Sequence, residues 1–235
     1  MRKQFPEEVF RACVDTAPLL EREFAQRAGL GAVGKHTLLI EQGVGSWLLL
    51  GAIVTTAEIT PSNPSPSDPC SNCTRCIEAC PTDAITPWEV DARKCISYLT
   101  IEHRTAIDPQ YYPKMGRWLF GCDVCQEVCP HNQLSERSSL APLHESYNPR
   151  YGAFDVLDVL HWDEDARIEH ISGSSMKRAK LGMLRRNAVI VAGNILAENP
   201  HPALLAKLQE IAHDETEDPL VARTAVEVLS QHSTQ

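Results

Sequence analysis

The chain has no apolar run long enough to cross a bilayer. The longest, Trp47 to Val54, is eight residues, against the roughly 20 that a spanning helix needs. The N-terminus is polar and charged, with no visible export signal. Positive charge is also short: 22 Lys and Arg stand against 31 Asp and Glu, a net charge of −9. Broad nonspecific binding to nucleic acid is mostly neutralisation of phosphates by Lys and Arg, so this balance argues against it. A local basic patch is compatible with it, and one is present: Lys177, Arg178, Lys180, Arg185 and Arg186 fall within ten residues that hold no acid. From charge alone that stretch reads first as a solvated helix face.

A nucleotide site is a further absence. Gly29-Leu30-Gly31-Ala32-Val33-Gly34 fits the G-x-G-x-x-G pattern, but the pattern binds a pyrophosphate only between a preceding strand and a following helix. Here a helical stretch, Pro18 to Ala28, comes before it and a strand-like run, Thr37 to Ile40, comes after. Upstream of that helical stretch, Asp15 or Thr16 reads as its N-cap, ahead of Pro18 in the first turn.

What the chain does have is cysteine. Seven of its nine cysteines form two runs, Cys70-x2-Cys73-x2-Cys76-x3-Cys80-Pro81 and Cys122-x2-Cys125-x3-Cys129-Pro130, and an eighth, Cys95, lies between them. In ferredoxins of this pattern each [4Fe–4S] cluster takes four thiolates, and the Cys before the Pro ligates the other cluster. Cys70, Cys73, Cys76 and Cys129 then form one set, and Cys80, Cys95, Cys122 and Cys125 the other. The second run lacks the third Cys of the tight triplet, and Cys95 completes it. Paired zinc sites share the Cys-x2-Cys spacing, but the triplet and both Cys-Pro endings argue for clusters. Such thiolates need a reducing compartment, which points to the cytoplasm. Cys13 is left over and reads as a small buried apolar residue.

The expected fold class is α+β. Residues 1–60 read as an α/β piece, with strand-like runs at Thr37 to Ile40 and Trp47 to Thr55. Pro61 to Pro69, with four Pro and three Ser, reads as a linker into a two-cluster module ending near residue 135. Residues 136–235 form the third region. From Met183 onward it is helical, broken near Asn199-Pro200 and between Asp214 and Pro219. A shift of 37 residues lays Arg186-Asn187-Ala188-Val189 on Arg223-Thr224-Ala225-Val226, Leu184 on Val221 and Val191 on Val228. That period suits HEAT-like helix pairs offering a surface to a large partner, and equally a plain helical cap.

Taken together, Val14-Asp15-Thr16-Ala17-Pro18-Leu19, Gly29-Leu30-Gly31-x-x-Gly34-Lys35-His36-Thr37, the cluster runs with Cys95-Ile96-Ser97-Tyr98-Leu99-Thr100, and Gly121-Cys122-Asp123-x-Cys125-Gln126 resemble the epoxyqueuosine reductases. The resemblance runs from about Phe10 through the helical tail. It implies a cobalamin-dependent oxidoreductase with two [4Fe–4S] clusters that removes the epoxide oxygen of epoxyqueuosine in tRNA to give queuosine. It makes residues 1–60 the C-terminal part of a corrin-binding α/β domain, 61–135 a ferredoxin-like two-cluster module, and 136–235 a HEAT-like tRNA-docking region. It also implies that a substantial N-terminal part of the corrin-binding domain lies outside this sequence.

The same resemblance carries roles onto residues. Asp15 would give a proton to the opening epoxide and touch the corrin. His36, Leu39 and Leu50 would line the corrin pocket. Ser97, Cys122 and Asp123 would pack the corrin against the nearer cluster. Arg104, Lys177, Arg178 and Arg185 would hold the anticodon stem-loop. An external electron donor, a monomeric state and no membrane association complete the expectation. The family usually has an aromatic residue where this chain has Ala32-Val33. Two other functions fit parts of the pattern: a ferredoxin-like electron carrier with no substrate site of its own, and a corrinoid reductase of small organohalides. Asp15 argues against the first, since a carrier needs no proton donor, and the basic tail against the second.

Overall fold

Short elements dominate the first half of the chain and long helices the second. The computed structural model describes residues 3–15, 17–64, 68–133, 148 and 151–232. In chain order these form β1 (Phe10–Cys13), α1 (Glu21–Arg27), β2 (Ala32–Val33), β3 (Leu39–Ile40), β4 (Ala52–Thr55), α2 (Arg75–Glu78), β5 (Ile85–Thr86), β6 (Glu89–Val90), α3 (Ile96–Ile101), α4 (Tyr112–Met115) and α5 (Val124–Glu127). Five further helices follow: α6 (Val156–His161), α7 (Glu164–Ile171), α8 (Leu181–Glu198), α9 (Pro202–His213) and α10 (Pro219–His232). The chain divides into two units, each drawn from separated stretches. The first is Met1–Cys80, Ile85–Val90 and Val124–Leu140; the second is Pro81–Ala84, Asp91–Asp123 and Ala141–Gln235. The boundary expected at 135/136 lies outside the described residues.

Among the described residues of the first unit three antiparallel two-stranded ribbons form, β1 with β4, β2 with β3, and β5 with β6. The β1–β4 register sets Phe10 opposite Thr55 and Cys13 opposite Ala52. Both expected strands prove shorter than their apolar runs: only Leu39–Ile40 of the first and Ala52–Thr55 of the second pair. Cys13 is buried as expected. The N-cap expectation is corrected. α1 begins at Glu21 behind Leu20, which makes no side-chain cap, while Asp15 adopts a left-handed φ of 56° well upstream. Thr16 lies outside the described residues.

The glycine pattern serves packing. Gly29 is the left-handed residue that ends α1, at φ +77°. Its N–H bonds to Gln26 O and the Leu30 N–H to Ala25 O, which is the paired closure of a Schellman motif. Gly31 lies so close to β3 that a Cβ there would meet the Ile40 carbonyl oxygen at 2.4 Å. No helix starts within the pattern; β2 does, so the rejection of a nucleotide site from context agrees with the local structure.

The second unit is built around α8. Burial extends over most of that helix, including Leu184, Ala188 to Ala192 and Leu196, and it packs against α3, α4, α6, α9 and α10. The helix breaks fall where the sequence put them, between Glu198 and Pro202 and between His213 and Pro219. Pro202 and Pro219 open their helices, where a missing N–H costs nothing. Asp155 and Asp163 cap α6 and α7 by accepting main-chain N–H bonds. The positions related by the 37-residue shift share burial on one face: Leu184 and Val221, Asn187 and Thr224, Ala188 and Ala225 are all inaccessible.

Candidate metal centre

The first thiol set comes together within the first unit. Cys70, Cys73, Cys76 and Cys129 line a cavity of about 190 Å³, with His36, Pro69, Arg75, Pro130 and His131. Local structure explains the convergence. Asp68 Oδ1 accepts the N–H groups of Cys70 and Ser71 and so turns the chain into the first run. Cys73 N–H bonds back to Cys70 O, and Cys76 rides on the single turn of α2. From the far side, Cys129 precedes a 3₁₀ turn at Pro130–Asn132. His131 Nε2 donates to Pro69 O at 2.9 Å, tying that turn to the first run. Asn132 fastens it again: its Oδ1 accepts Ser46 N–H at 2.6 Å, and its Nδ2 donates to Ser46 Oγ and Gln126 O. Gly45 must be glycine here, since a Cβ would stand 2.2 Å from Asn132 Oδ1.

Two of the four thiols, Cys76 and Cys129, resist ionising. Burial pushes the Cys76 thiol up, and its neighbours Cys70, Cys129 and Cys73 push the same way. Cys129 is raised for the same first reason. Positive charge among them reverses that balance, because thiolates bind iron and are stabilised by it. The four thiols surround a cavity, an arrangement that suits a multi-atom cluster.

Lys35, to which the sequence alone assigns no role, braces this site. Lys35 is buried, and its Nζ donates to Ser71 O at 2.7 Å and Cys73 O at 3.1 Å. Its main-chain N–H donates to Cys70 Sγ at 3.3 Å. Trp88, from the β5–β6 turn, donates its N–H to Lys35 O and sets its ring under the ammonium, 5.6 Å from the centroid. The signal available in sequence was the Gly34-Lys35-His36 triplet. A methyl on Gly34 would meet Ile40 Cδ1 at 2.6 Å, His36 Cε1 at 3.2 Å and Cys70 Sγ at 3.4 Å.

His36 is 3 % exposed. Its Nδ1 accepts the Leu38 N–H at 3.1 Å, and its Nε2 has no hydrogen-bond partner among the described residues. Burial first, and His131 second, hold its pKa below the usual histidine value.

Members of the second thiol set fall in both units. In the first unit, Cys80 follows α2 and Cys125 lies in α5, and α2 packs on α5. In the second, Cys95 precedes α3 in an extended conformation, and Cys122 packs against the helical core. The Thr100 hydroxyl of α3 accepts the Gly121 N–H at 2.9 Å, joining the segments that carry these two.

The remaining expected residues are spread similarly. In the first unit the Val14–Asp15 and Leu50–Gly51 segments meet at one end of the β1–β4 ribbon, where a Cβ on Gly51 would be 3.7 Å from Val14 Cγ1. Asp15 is exposed and Leu50 half-buried, while Leu39 is buried like His36. In the second unit Ser97, Cys122 and Asp123 are half-buried and Arg104 is exposed.

The basic stretch is divided by the structure. Lys177, Arg178 and Lys180 are exposed, and Arg178 stands 3.7 Å from Glu102, which brings it alongside the Arg104 segment. Arg185 forms a two-pronged pair with Glu217, at 2.7 and 2.6 Å, and donates Nε–H to Leu160 O. Arg186 corrects the solvated-face reading outright: it is fully buried. Its guanidinium donates to the carbonyls of Leu99, His103 and Thr105 and to Asn187 Oδ1. Burial lowers its pKa to about 10, which leaves it charged at neutral pH.

A family model described as a 4Fe-4S double cluster binding domain matches residues 69–132. The thiol runs and this match define a protein built around two iron–sulfur clusters. Over most of its length the sequence is similar to the epoxyqueuosine reductase of Synechococcus sp. (strain RCC307), 44 % identical over 190 residues covering 80 % of this chain and 57 % of that protein. It is also similar to that of Xanthomonas campestris pv. campestris, 38 % identical over 230 residues covering 95 % and 61 %. Among solved structures, epoxyqueuosine reductase from Streptococcus thermophilus superposes with a TM-score of 0.82 at 28 % identity, over 100 % of this chain and 60 % of that one. An epoxyqueuosine reductase crystallised with an epoxyqueuosine-modified tRNA-Tyr stem loop gives 0.81 at 28 % identity, over 97 % and 59 %. The chain belongs to the epoxyqueuosine reductase family, and it spans somewhat more than half the length of the curated relatives it matches.

Proposed function

We propose that this chain takes part in the reductive removal of the epoxide oxygen of epoxyqueuosine in tRNA, yielding queuosine. The convergence of Cys70, Cys73, Cys76 and Cys129 on one cavity carries the reading, in a chain whose relatives are named for that reaction. Taking an epoxide oxygen off as water consumes two electrons and two protons. The two clusters, on Cys70, Cys73, Cys76 and Cys129 and on Cys80, Cys95, Cys122 and Cys125, would pass those electrons one at a time from an external donor.

Cobalamin would supply the low-potential reducing centre next to substrate. The described residues fit such a group in part. The end of the β1–β4 ribbon combines the Asp15 carboxyl with exposed Val14 and Leu49 and half-buried Leu50, an apolar surface carrying one acid. Asp15 would deliver a proton to the oxygen as the ring opens. Its left-handed backbone is a conformation Asp adopts more readily than most residues. Ser97, Cys122 and Asp123 would face the corrin from the cluster side. Leu39 and His36, both buried, are better placed to support the pocket than to touch its contents.

The tRNA role belongs to the second unit. Arg104, Lys177 and Arg178, with exposed Lys180, would contact phosphates of the anticodon stem-loop, and loop bases can be splayed into a pocket for modification. The repeating burial of α8 and α10 supports a HEAT-like reading of residues 136–235 as a docking region. The division at residues 60 and 135, a cytoplasmic location and a monomeric state belong to the same proposal. Among the described residues no helix is long and apolar enough to cross a membrane.

The test is turnover by the anaerobically reconstituted chain on epoxyqueuosine-bearing tRNA, with a low-potential reductant, with and without cobalamin, reading nucleosides by mass spectrometry. Cobalamin-dependent queuosine is the expected product. Full cluster loading without product, even after the family's upstream sequence is restored, would favour the electron-carrier function.

A further inference from the structure

His36 is the buried polar side chain beside the first thiol set that the proposed chemistry does not use. It lines the same cavity as Cys70, Cys73, Cys76 and Cys129. Its ring state follows from its neighbours. Leu38 N–H is a donor aimed at Nδ1, so Nδ1 must present a lone pair, and the neutral imidazole carries its proton on Nε2. That Nε2–H is buried and, among the described residues, without an acceptor. An orphaned buried donor is costly, and among the described residues none of the others lining the cavity, the four cysteines, Pro69, Pro130, Arg75 and His131, accepts a hydrogen bond from it. Sulfur supplies an acceptor once a cluster is present. The adjacent main chain already makes one bond of that kind, from Lys35 N–H to Cys70 Sγ.

We propose that His36 donates an Nε2–H hydrogen bond to a sulfur of the first [4Fe–4S] cluster and thereby raises its reduction potential. The proposal rests on the reading that this cavity holds such a cluster. The physical reason is electrostatic. Reduction adds one negative charge to the cluster, and a donor pointed at its sulfur stabilises the reduced form more than the oxidised one. The Gly34–Lys35–His36 turn then acts as a donor set, one bond from the main chain and one from the side chain. His36 is a positioning and tuning residue in this scheme and makes no contact with substrate.

The experiment compares the full chain with its His36→Leu and His36→Gln variants after anaerobic reconstitution. Iron and sulfide contents are determined, and both cluster potentials are measured by redox titration followed by electron paramagnetic resonance. Leu removes the donor, while Gln can carry an N–H to nearly the same place. The expected result is that His36→Leu lowers one of the two potentials by the equivalent of a tenfold change in its oxidised-to-reduced ratio, about 59 mV for a one-electron couple. The other potential stays put, and Gln restores most of the shift. Unchanged potentials at full iron content overturn the proposal, as does a shift that Gln fails to reverse, which marks a packing effect.

If His36→Leu does not load, the native chain labelled with ¹⁵N-histidine decides. A weak imidazole nitrogen coupling to the reduced cluster supports the bond, and its absence at full loading overturns it. A chain that takes up no [4Fe–4S] cluster at all defeats the underlying cluster reading, and iron analysis separates that failure from this one.

Discussion

At the scale of single residues, the two neighbouring arginines of α8 show how little a basic stretch reveals about its role. Arg185 and Arg186 are adjacent in sequence, yet one closes an ion pair with Glu217 and the other caps three main-chain carbonyls in the core. Replacing Arg185 with Ala leaves Glu217, itself 7 % exposed, without its cation. The expected cost is about 3 kcal/mol of stability, read by denaturant unfolding, with the salt dependence of tRNA binding little changed. Replacing Arg186 with Met strands buried carbonyls and is expected to cost about 3 kcal/mol or more. Replacing Lys177, Arg178 and Arg104 with Ala should do the reverse. Stability holds, while tRNA affinity falls and its logarithmic salt slope flattens by about 0.7 for each single-strand phosphate that the protein no longer neutralises.

The ligand spacings were legible in the sequence because iron–sulfur geometry is local: a Cys-x2-Cys-x2-Cys run wraps a cube whatever surrounds it. The first set accordingly meets where the spacing put it. Lys35 and Trp88 were not legible, since their role depends on which carbonyls and ring come within reach only after the β5–β6 turn is folded.

At the scale of elements, close approaches carry much of the specificity. Gly193 of α8 faces Val228 of α10, and a Cβ there would stand 2.4 Å from Val228 Cγ1. Val228 is β-branched and nearly buried, so it has little room to rotate away. Gly193→Ala is therefore expected to destabilise the second unit by about 1–3 kcal/mol. Adding Val228→Ala should recover part of that loss, giving a coupling of about 1 kcal/mol or more in a double-mutant cycle. Helix boundaries in this region were readable from Pro and polar breaks. The strands were not: runs such as Trp47 to Thr55 have strand-like composition, but their pairing partners set where each ribbon ends, and β1 is only four residues long.

At the scale of the whole molecule, the two units differ in what holds them. The second has a contiguous apolar core running through α3, α4 and α6 to α10. The first has two- and four-residue strands and short helices around the thiol cavity, with Val9, Leu20, Ile53 and Leu49 all exposed. Metal binding should supply much of its folding free energy. Anaerobic chelation of iron is expected to abolish amide-exchange protection around residues 32–46 and 68–80. The helices of the second unit should keep their far-ultraviolet dichroism and a cooperative melt. Loss of both together would show a shared dependence on the clusters. The sequence reading treated residues 1–60, 61–135 and 136–235 as successive blocks. The folded units interleave, with the segment carrying Cys129 in the first unit beside Met1–Cys80.

That interleaving has a consequence for synthesis. Cys76 and Cys129 are 53 residues apart, so a ribosome adding 5–20 residues per second leaves the first three thiols waiting about 3–10 s for the fourth. During that interval Lys35 can already brace the Ser71 and Cys73 carbonyls, since it was translated earlier. The nascent chain thus presents a shaped three-thiol trap before the site can be completed. Four-thiol ligation of the first cluster can be completed only after Cys129 has emerged, and a thiophilic ion such as zinc that arrives sooner would compete for the place.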